Sequence, residues 1–220
     1  MQITKDMVMG LEQTHLIDID TNQKASAEAF LALCDLKKRL AAHGFVLDIA
    51  SAFRPFSRQM EIFNAKYNMQ RKVFDRDNNE LNLENMSPMQ RVEAICIFSS
   101  VPGFSRHHFG SDFDIYSKDL LPEGSSLALA SYEYTQGGYF YEMHQALVEY
   151  MAEYDFFMPY TGDNSIGFEP WHISYYPSAT KCLEVFDFDY ACDHLKSLKY
   201  PWSESVCIYL QDKYRQMLAY

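Results

Sequence analysis

Apolar residues at Ala29, Leu33, Leu36 and Leu40 recur at spacings of four, three and four, and the run closes on Gly44. That stripe predicts a helix through SAEAFLALCDLKKRLAAHG with one buried face. The next residues, FVLDIASAF, are dense in β-formers and run into Arg54-Pro55, which predicts a strand ending there with Arg54 at its tip. Ser57 is placed to cap a helix reaching about Tyr67. Residues 71–87 are polar and rich in Asn and Asp, and read as a surface excursion. Ser87, Pro88 and Gln90 supply a cap, a first-turn proline and a capping-box partner for a helix through about Phe98.

After the turn-rich VPGFSRHHFG, the alternation in SDFDIYS predicts a strand. A second loop over about 118–138 precedes a helix, YEMHQALVEYMAEYDF, with Met143, Leu147, Tyr150, Met151 and Tyr154 on one face. FFMPY and GFEPWHISYY read as two strands around the turn TGDNSIG, and helical patterning returns over 178–220 with Ser203 as a cap. Helices interspersed with strands, and hairpin-like neighbours late in the chain, indicate an α+β fold: a small, mainly antiparallel sheet flanked by helices, with an extra helical C-terminal segment. A doubly wound parallel sheet fits less well, because regular strand-helix alternation and a Gly-rich phosphate loop are both missing. At 220 residues, one domain over 1–220 is expected.

Composition narrows the function. A hydrophobic fraction of 48% and an aromatic fraction of 15% fit a packed globular chain. A formal charge of −11 and the lack of a basic run argue against nucleic acid as a partner. The first twenty residues do not read as a signal peptide, and no apolar run is long enough for a membrane span. Cys34, Cys96, Cys182, Cys192 and Cys207 form an odd set without a C-x-x-C pair, and read as reduced core thiols. These features together predict a cytoplasmic location. Oligomeric state is not legible.

One stretch concentrates chemistry. SRHHFGSDFD sets His107 and Asp114 seven positions apart across a loop-to-strand junction, and His172 lies on a later strand. Hydrolytic zinc takes three His, Asp or Glu ligands and leaves a position for water, so this set suffices if the two strands are neighbours. Glu169 can serve as a general base, provided that Pro170 bends the chain, since positions three apart on a strand face opposite ways. From residue types alone, a solvated polar turn and a core histidine explain the same letters. Cys182 and Cys192 have no base nearby in sequence to activate them. His108 reads as a flanking residue, and His144 and His194 as structural or exposed.

The spacing Ser105-x-His107-x-x-Gly110-x-x-x-Asp114, with Glu169-x-Trp171-His172 further on, resembles the paired signature of the VanY-type zinc D-alanyl-D-alanine carboxypeptidases. SAFRPFSRQ is similar to that family's Arg-containing segment, with Arg54 and Gln59 at matching positions, and the likeness covers about residues 45–176. The resemblance implies one catalytic Zn2+ held by His107, Asp114 and His172, with Glu169 as general base. It also implies that Arg54 holds the scissile carbonyl and that Ser105 and Gln59 contact the substrate, a peptidoglycan stem peptide or muropeptide. An LD-carboxypeptidase or a stem-peptide endopeptidase of the same zinc class, and a non-catalytic zinc-stabilised binding module, are the alternative readings. Asp112 departs from the family pattern, which has a small residue there. It reads either as extra negative charge beside the metal, making the bound water less acidic, or as a solvated or Arg-paired carboxylate.

Overall fold

A computed structural model of the chain describes residues 2–219. The elements run α1 (Lys5–Val8), β1 (Ile17–Asp20), β2 (Gln23–Ala25), α2 (Ala27–Ala41), β3 (Asp48–Ser51), α3 (Phe56–Tyr67) and α4 (Pro88–Cys96). They continue with β4 (Asp112–Tyr116), α5 (Tyr141–Tyr150), β5 (Phe156–Phe157), β6 (His172–Tyr175), α6 (Tyr176–Val185), α7 (Phe188–Ser197) and α8 (Ser203–Met217). The architecture is mixed α+β. β1 and β2 form a small hairpin, and the main antiparallel sheet has the order β3-β4-β6-β5. Among the described residues, no helix is long and apolar enough to cross a membrane.

Alternation along the main sheet separates two chemistries. Phe113, Ile115 and Ile173 point to one face, where they pack with Leu33, Leu36 and Leu40 of α2 and Met143 and Leu147 of α5. The opposite face carries Asp112, Asp114, His172 and Ser174, in two cross-strand rows: Asp112 opposite Ser174, and Asp114 opposite His172. Ser51 of β3 extends the second row, opposite Asp114. A second core is built without sheet residues, from α3, α4, α7 and α8 through Phe63, Val92, Ile95, Leu195, Trp202, Val206 and Leu210. Thus α7 and α8 share a core with helices from the middle of the chain.

Local sequence accounts for most boundaries. The four buried positions of α2 among its apolar residues include the expected stripe, Ala29, Leu33, Leu36 and Leu40. Ser87 and Gln90 form the reciprocal capping box of α4, with Pro88 in its first turn. The caps expected at Ser57 and Ser203 are not made: α3 starts two residues earlier, behind Pro55, whose fixed φ sets the helix entry. Trp202 occupies the cap position of α8, fixed by its indole N–H, which donates to Asn64 Oδ1 at 2.7 Å. The polar stretch 71–87 is pinned at both ends, since Val73 and Leu83 are buried in the second core. Between FFMPY and the later strand only β5 and β6 pair regularly; GFEP joins through a single bridge, Thr161 to Phe168, before Pro170 turns the chain.

The fully buried Trp202 indole packs against Phe63 of α3, with ring centroids 4.8 Å apart and the planes tilted by 58°. Trp202→Ala is expected to cost about 3–5 kcal/mol of stability, as removal of a large buried ring does. Urea unfolding followed by circular dichroism checks this: a loss below about 1 kcal/mol, or a separate early transition, would mark 178–220 as a loose appendage.

Candidate metal centre

The β4–β6 register places the side chains of Asp114 and His172 side by side, and the loop before β4 brings in the third group. Ser105-Arg106-His107-His108-Phe109 turns through a short 3₁₀ helix, Arg106–Phe109, which ends on Gly110 at φ +71°. Glycine adopts that left-handed conformation without the steric cost of a Cβ, and so lets the chain turn directly into β4. His107, Asp114 and His172 each offer one ligand atom, and these atoms all lie within 4.8 Å of one another. All three residues are buried. His107 Nδ1 donates to the Ala52 carbonyl at 2.8 Å, which leaves Nε2 as the lone-pair nitrogen, 3.1 Å from Asp114 Oδ2.

His172 is held the opposite way round. Its Nε2 lies 2.9 Å from Asp112 Oδ1, and a carboxylate can only accept, so Nε2 carries the hydrogen and Nδ1 faces the cluster. Nδ1 is 3.4 Å from Asp114 Oδ1 and 3.5 Å from Glu169 Oε2. Asp114 Oδ1 is buried and accepts no hydrogen bond. A carboxylate with one orphaned oxygen, flanked by two imidazoles, fits a cation, and a His, Asp, His donor set suits zinc. Burial raises the pKa of Asp114, yet the neighbouring His107 and His172 outweigh it and hold the carboxyl well below its ordinary range. Burial pushes His107 down, towards the neutral form that a ligand must have.

Pro170 supplies the bend that Glu169 needs. The His172 N–H donates to the Glu169 carbonyl at 3.1 Å, closing a turn over Pro170 and Trp171 that brings the carboxylate back onto the His172 ring. Arg54 stands on the other side, with Nη2 3.5 Å from Asp114 Oδ2. Its guanidinium donates to Gln59 Oε1 at 2.9 Å and Ser51 Oγ at 3.1 Å, and Gln59 Nε2 in turn donates to the Ser100 carbonyl at 2.6 Å. Gln59 is thereby tied to Arg54. Ser105 is buried beside the cluster with its hydroxyl unpartnered.

A family model of the VanY D-alanyl-D-alanine carboxypeptidases matches residues 22–178. The chain belongs to this family. The match begins at 22, so it takes in α2 as well as the stretch from 45 onward. Two Haemophilus influenzae proteins of uncharacterised function are related in sequence: one is 43% identical over 95 residues, 42% of this chain and 70% of its own length. The other is 32% identical over 105 residues, 46% of this chain and 72% of its own. In fold the chain is similar to VanYB in complex with D-alanine-D-alanine, with TM-score 0.56 and 18% identity over 86% of this chain and 91% of that one. A variant of the D,D-pentapeptidase VanY in complex with Zn(II) gives TM-score 0.54 and 19% identity over 81% and 89%. The LD-carboxypeptidase LdcB gives 0.54 and 17% over 88% and 78%. Membership in the VanY family makes the protein a peptidoglycan-acting peptidase by class.

Against the VanY pattern, Asp112 is fully buried and paired. Arg106 Nε donates to its Oδ1 at 2.9 Å, and the Ser111 hydroxyl donates to its Oδ2 at 2.7 Å. Burial raises its pKa, but the Arg106 charge and His172 bring it down to about 2. The Asp112 carboxylate is paired with Arg106, and it lies on the same face of the sheet as Asp114. Two further groups escaped the sequence. His108 is a clamp: Nδ1 donates to the Arg54 carbonyl at 2.6 Å, and Nε2 accepts from the Gly103 N–H at 3.0 Å. Lys66 extends from α3 to donate to Ser99 Oγ at 2.5 Å, with its pKa lowered to about 8 by burial despite the opposing charge of Glu169. Its spacing of seven residues from Gln59, two helical turns, puts both on one face of α3, a signal that the sequence reading did not use.

Burial depresses His108 to about 3, against about 6.5 for a free imidazole. The unfolded chain therefore binds the proton first, and the clamp's stability, complete above about pH 6.5, is lost as pH falls towards about 3. Metal-free protein should lose up to about 1.4 kcal/mol per pH unit through this group. Urea titrations between about pH 7 and about pH 4.5 should give a shallower dependence for His108→Gln than for the parent. Parallel slopes would remove the neutral-clamp assignment.

Proposed function

We propose that the protein is a zinc-dependent carboxypeptidase that removes the terminal D-amino acid from peptidoglycan stem peptides. The observation that carries the reading is the convergence of His107, Asp114 and His172 on one point, with Glu169 Oε2 3.5 Å from His172 Nδ1, in a chain of the VanY family. The three residues would hold the ion, His107 through Nε2 and His172 through Nδ1. Zinc held there supplies Lewis acidity, which polarises a carbonyl and makes an attacking water acidic near neutral pH.

The rest of the reaction falls to the chain's own groups. Glu169 takes a proton from the attacking water and returns it to the departing amine. Its position suits this, since the turn over Pro170 aims it at the ligand cluster while leaving it outside the set of three. Arg54 faces the oxygen on which negative charge grows; Gln59, Ser51 and the His108 clamp on its carbonyl hold it in place before substrate arrives, as preorganised stabilisation requires. Ser105 offers its unpartnered hydroxyl to the peptide. Lys66 adds a second cation beside Arg54, on the helix face that carries Gln59. A free terminal carboxylate is the anion that a carboxypeptidase must recognise and an endopeptidase need not.

Mass spectrometry of zinc-loaded protein with stem pentapeptide, tetrapeptide and terminally amidated pentapeptide tests the reading. Loss of the last residue from the pentapeptide is expected, with the amidated peptide spared. Glu169→Gln should lower kcat by about 10²–10⁴-fold with zinc still bound. Cleavage confined to the tetrapeptide would make it an LD-carboxypeptidase, and internal cleavage that ignores amidation an endopeptidase. Full activity of Glu169→Gln would overturn the assigned base.

A further inference from the structure

The end of α8 reaches the metal centre through buried hydrogen bonds. Arg106 is fully buried and uses all three of its nitrogens: Nε donates to Asp112 Oδ1, Nη2 to Ser174 Oγ at 2.6 Å, and Nη1 to the carbonyl of Leu218. One residue earlier, the Met217 carbonyl accepts from the Tyr160 hydroxyl at 2.7 Å, and the Tyr160 ring meets the His172 ring edge-on at 4.9 Å between centroids. The Gln216 side chain accepts from the Ser165 N–H at 3.0 Å and hydroxyl at 2.6 Å. The last carbonyls of a helix have no partner within it and attract cations and donors. Here they accept from Arg106, which is paired with the Asp112 carboxylate beside His172, and from Tyr160, whose ring meets that of His172. The acceptors Gln216, Met217 and Leu218 lie beyond residue 178, where the family match stops, while their donors Arg106, Tyr160 and Ser165 lie within it.

We propose that Asp112 and Arg106 are positioning residues for the metal centre, fastened to the C-terminal turn of α8, and that the chain Leu218 carbonyl–Arg106–Asp112–His172 fixes the imidazole with Nδ1 turned to the metal. A carboxylate on the far nitrogen of a ligating histidine sets its tautomer and its orientation, and loss of such a partner lowers metal affinity about 10–100-fold. Asp112 supplies that carboxylate, and Arg106 prevents it from turning towards the metal itself. The segment 178–220 is accordingly part of the working site.

The inference rests on the zinc reading above, and zinc alone is the probe. Removing one partner would strand a buried charge, so the main variant is Asp112→Ala/Arg106→Met, which removes both; Asp112→Asn, which keeps an acceptor for His172, is the milder companion. Zinc affinity measured by chelator competition should fall about 10–100-fold in the double variant and less in Asp112→Asn. Long-range ¹H–¹⁵N spectra should show His172 locked as the Nε2–H tautomer in the zinc-loaded parent and mixed in the double variant. Hydrogen exchange of the backbone around 214–219 should slow on zinc addition in the parent and not in the double variant, since coupling between two sites is reciprocal. Zinc affinity within twofold of the parent in a folded double variant, or zinc-independent exchange at the end of α8 in the parent, overturns the inference. Failure of the parent to bind zinc would instead overturn the reading on which it rests.

Discussion

Pairing β4 with β6 so that Asp114 sits opposite His172 fixes where every other group at the centre has to come from. Side chains alternate along a strand, so a slip of one residue would send Asp114 and His172 into the apolar layer and bring Phe113 and Ile173 into the site. The apolar layer forbids that slip, because Phe113, Ile115 and Ile173 are fully buried against α2 and α5. The hydrophobic packing of one face thus holds the ligand geometry of the other. His107 and Glu169 then arrive from the turns at the ends of these same strands, one closed by Gly110 and one by Pro170.

The polar face collects more charge than a buried surface normally tolerates. Asp112, Asp114 and Glu169 are all buried, and taking an unpaired carboxylate out of water costs several kcal/mol. Each has a distinct compensation. Asp112 has a full guanidinium and a serine hydroxyl; Asp114 has two histidines and Arg54; Glu169 has His172 and the positive field of Lys66 and Arg54. Of the three, only Asp114 retains a buried oxygen with no donor, which separates it from the other two and suits it to a cation. A buried pair such as Arg106–Asp112 adds little to stability compared with an apolar substitute, so its presence points to orientation as the gain.

Sequence made the local parts of this arrangement visible. The leucine stripe of α2 and the Ser87–Gln90 box of α4 each depend on residues a few positions apart, and the structure forms both. The His107–Asp114 spacing was legible for the same reason, and the place of His172 became so once a familiar pair of motifs tied two distant stretches together. Arg106 was invisible: an arginine in a loop is ordinarily a surface residue, and its partners Ser174 and Leu218 lie 68 and 112 positions away. Lys66 and His108 escaped likewise, since neither looks unusual until α3 and the 3₁₀ turn are set against the segments 99–103 and 54. The caps at Ser57 and Ser203 failed for a smaller reason, namely that a proline fixed one helix start two residues earlier and a buried tryptophan the other one residue earlier.

Asp112 would be a liability if its charge acted on the metal directly, because added negative charge makes a bound water less acidic. The order of charges lessens that liability. From the end of α8 inward, the sequence runs partial negative on the helix carbonyls, positive on Arg106, negative on Asp112, and then the imidazole that presents Nδ1 to the ligand cluster. Each neighbour attracts the next, and the Arg106 charge partly offsets that of Asp112 beside the imidazole. What the chain fixes is direction: the Nε2 hydrogen is held by Asp112, so Nδ1 is the nitrogen turned to the ligand cluster. A small residue at 112 would leave that nitrogen without an acceptor and the face of the sheet open. This chain fills the gap with an ion pair, and an ion pair buried that deeply needs its remaining donors satisfied, which is the structural reason that the guanidinium reaches on to the end of α8.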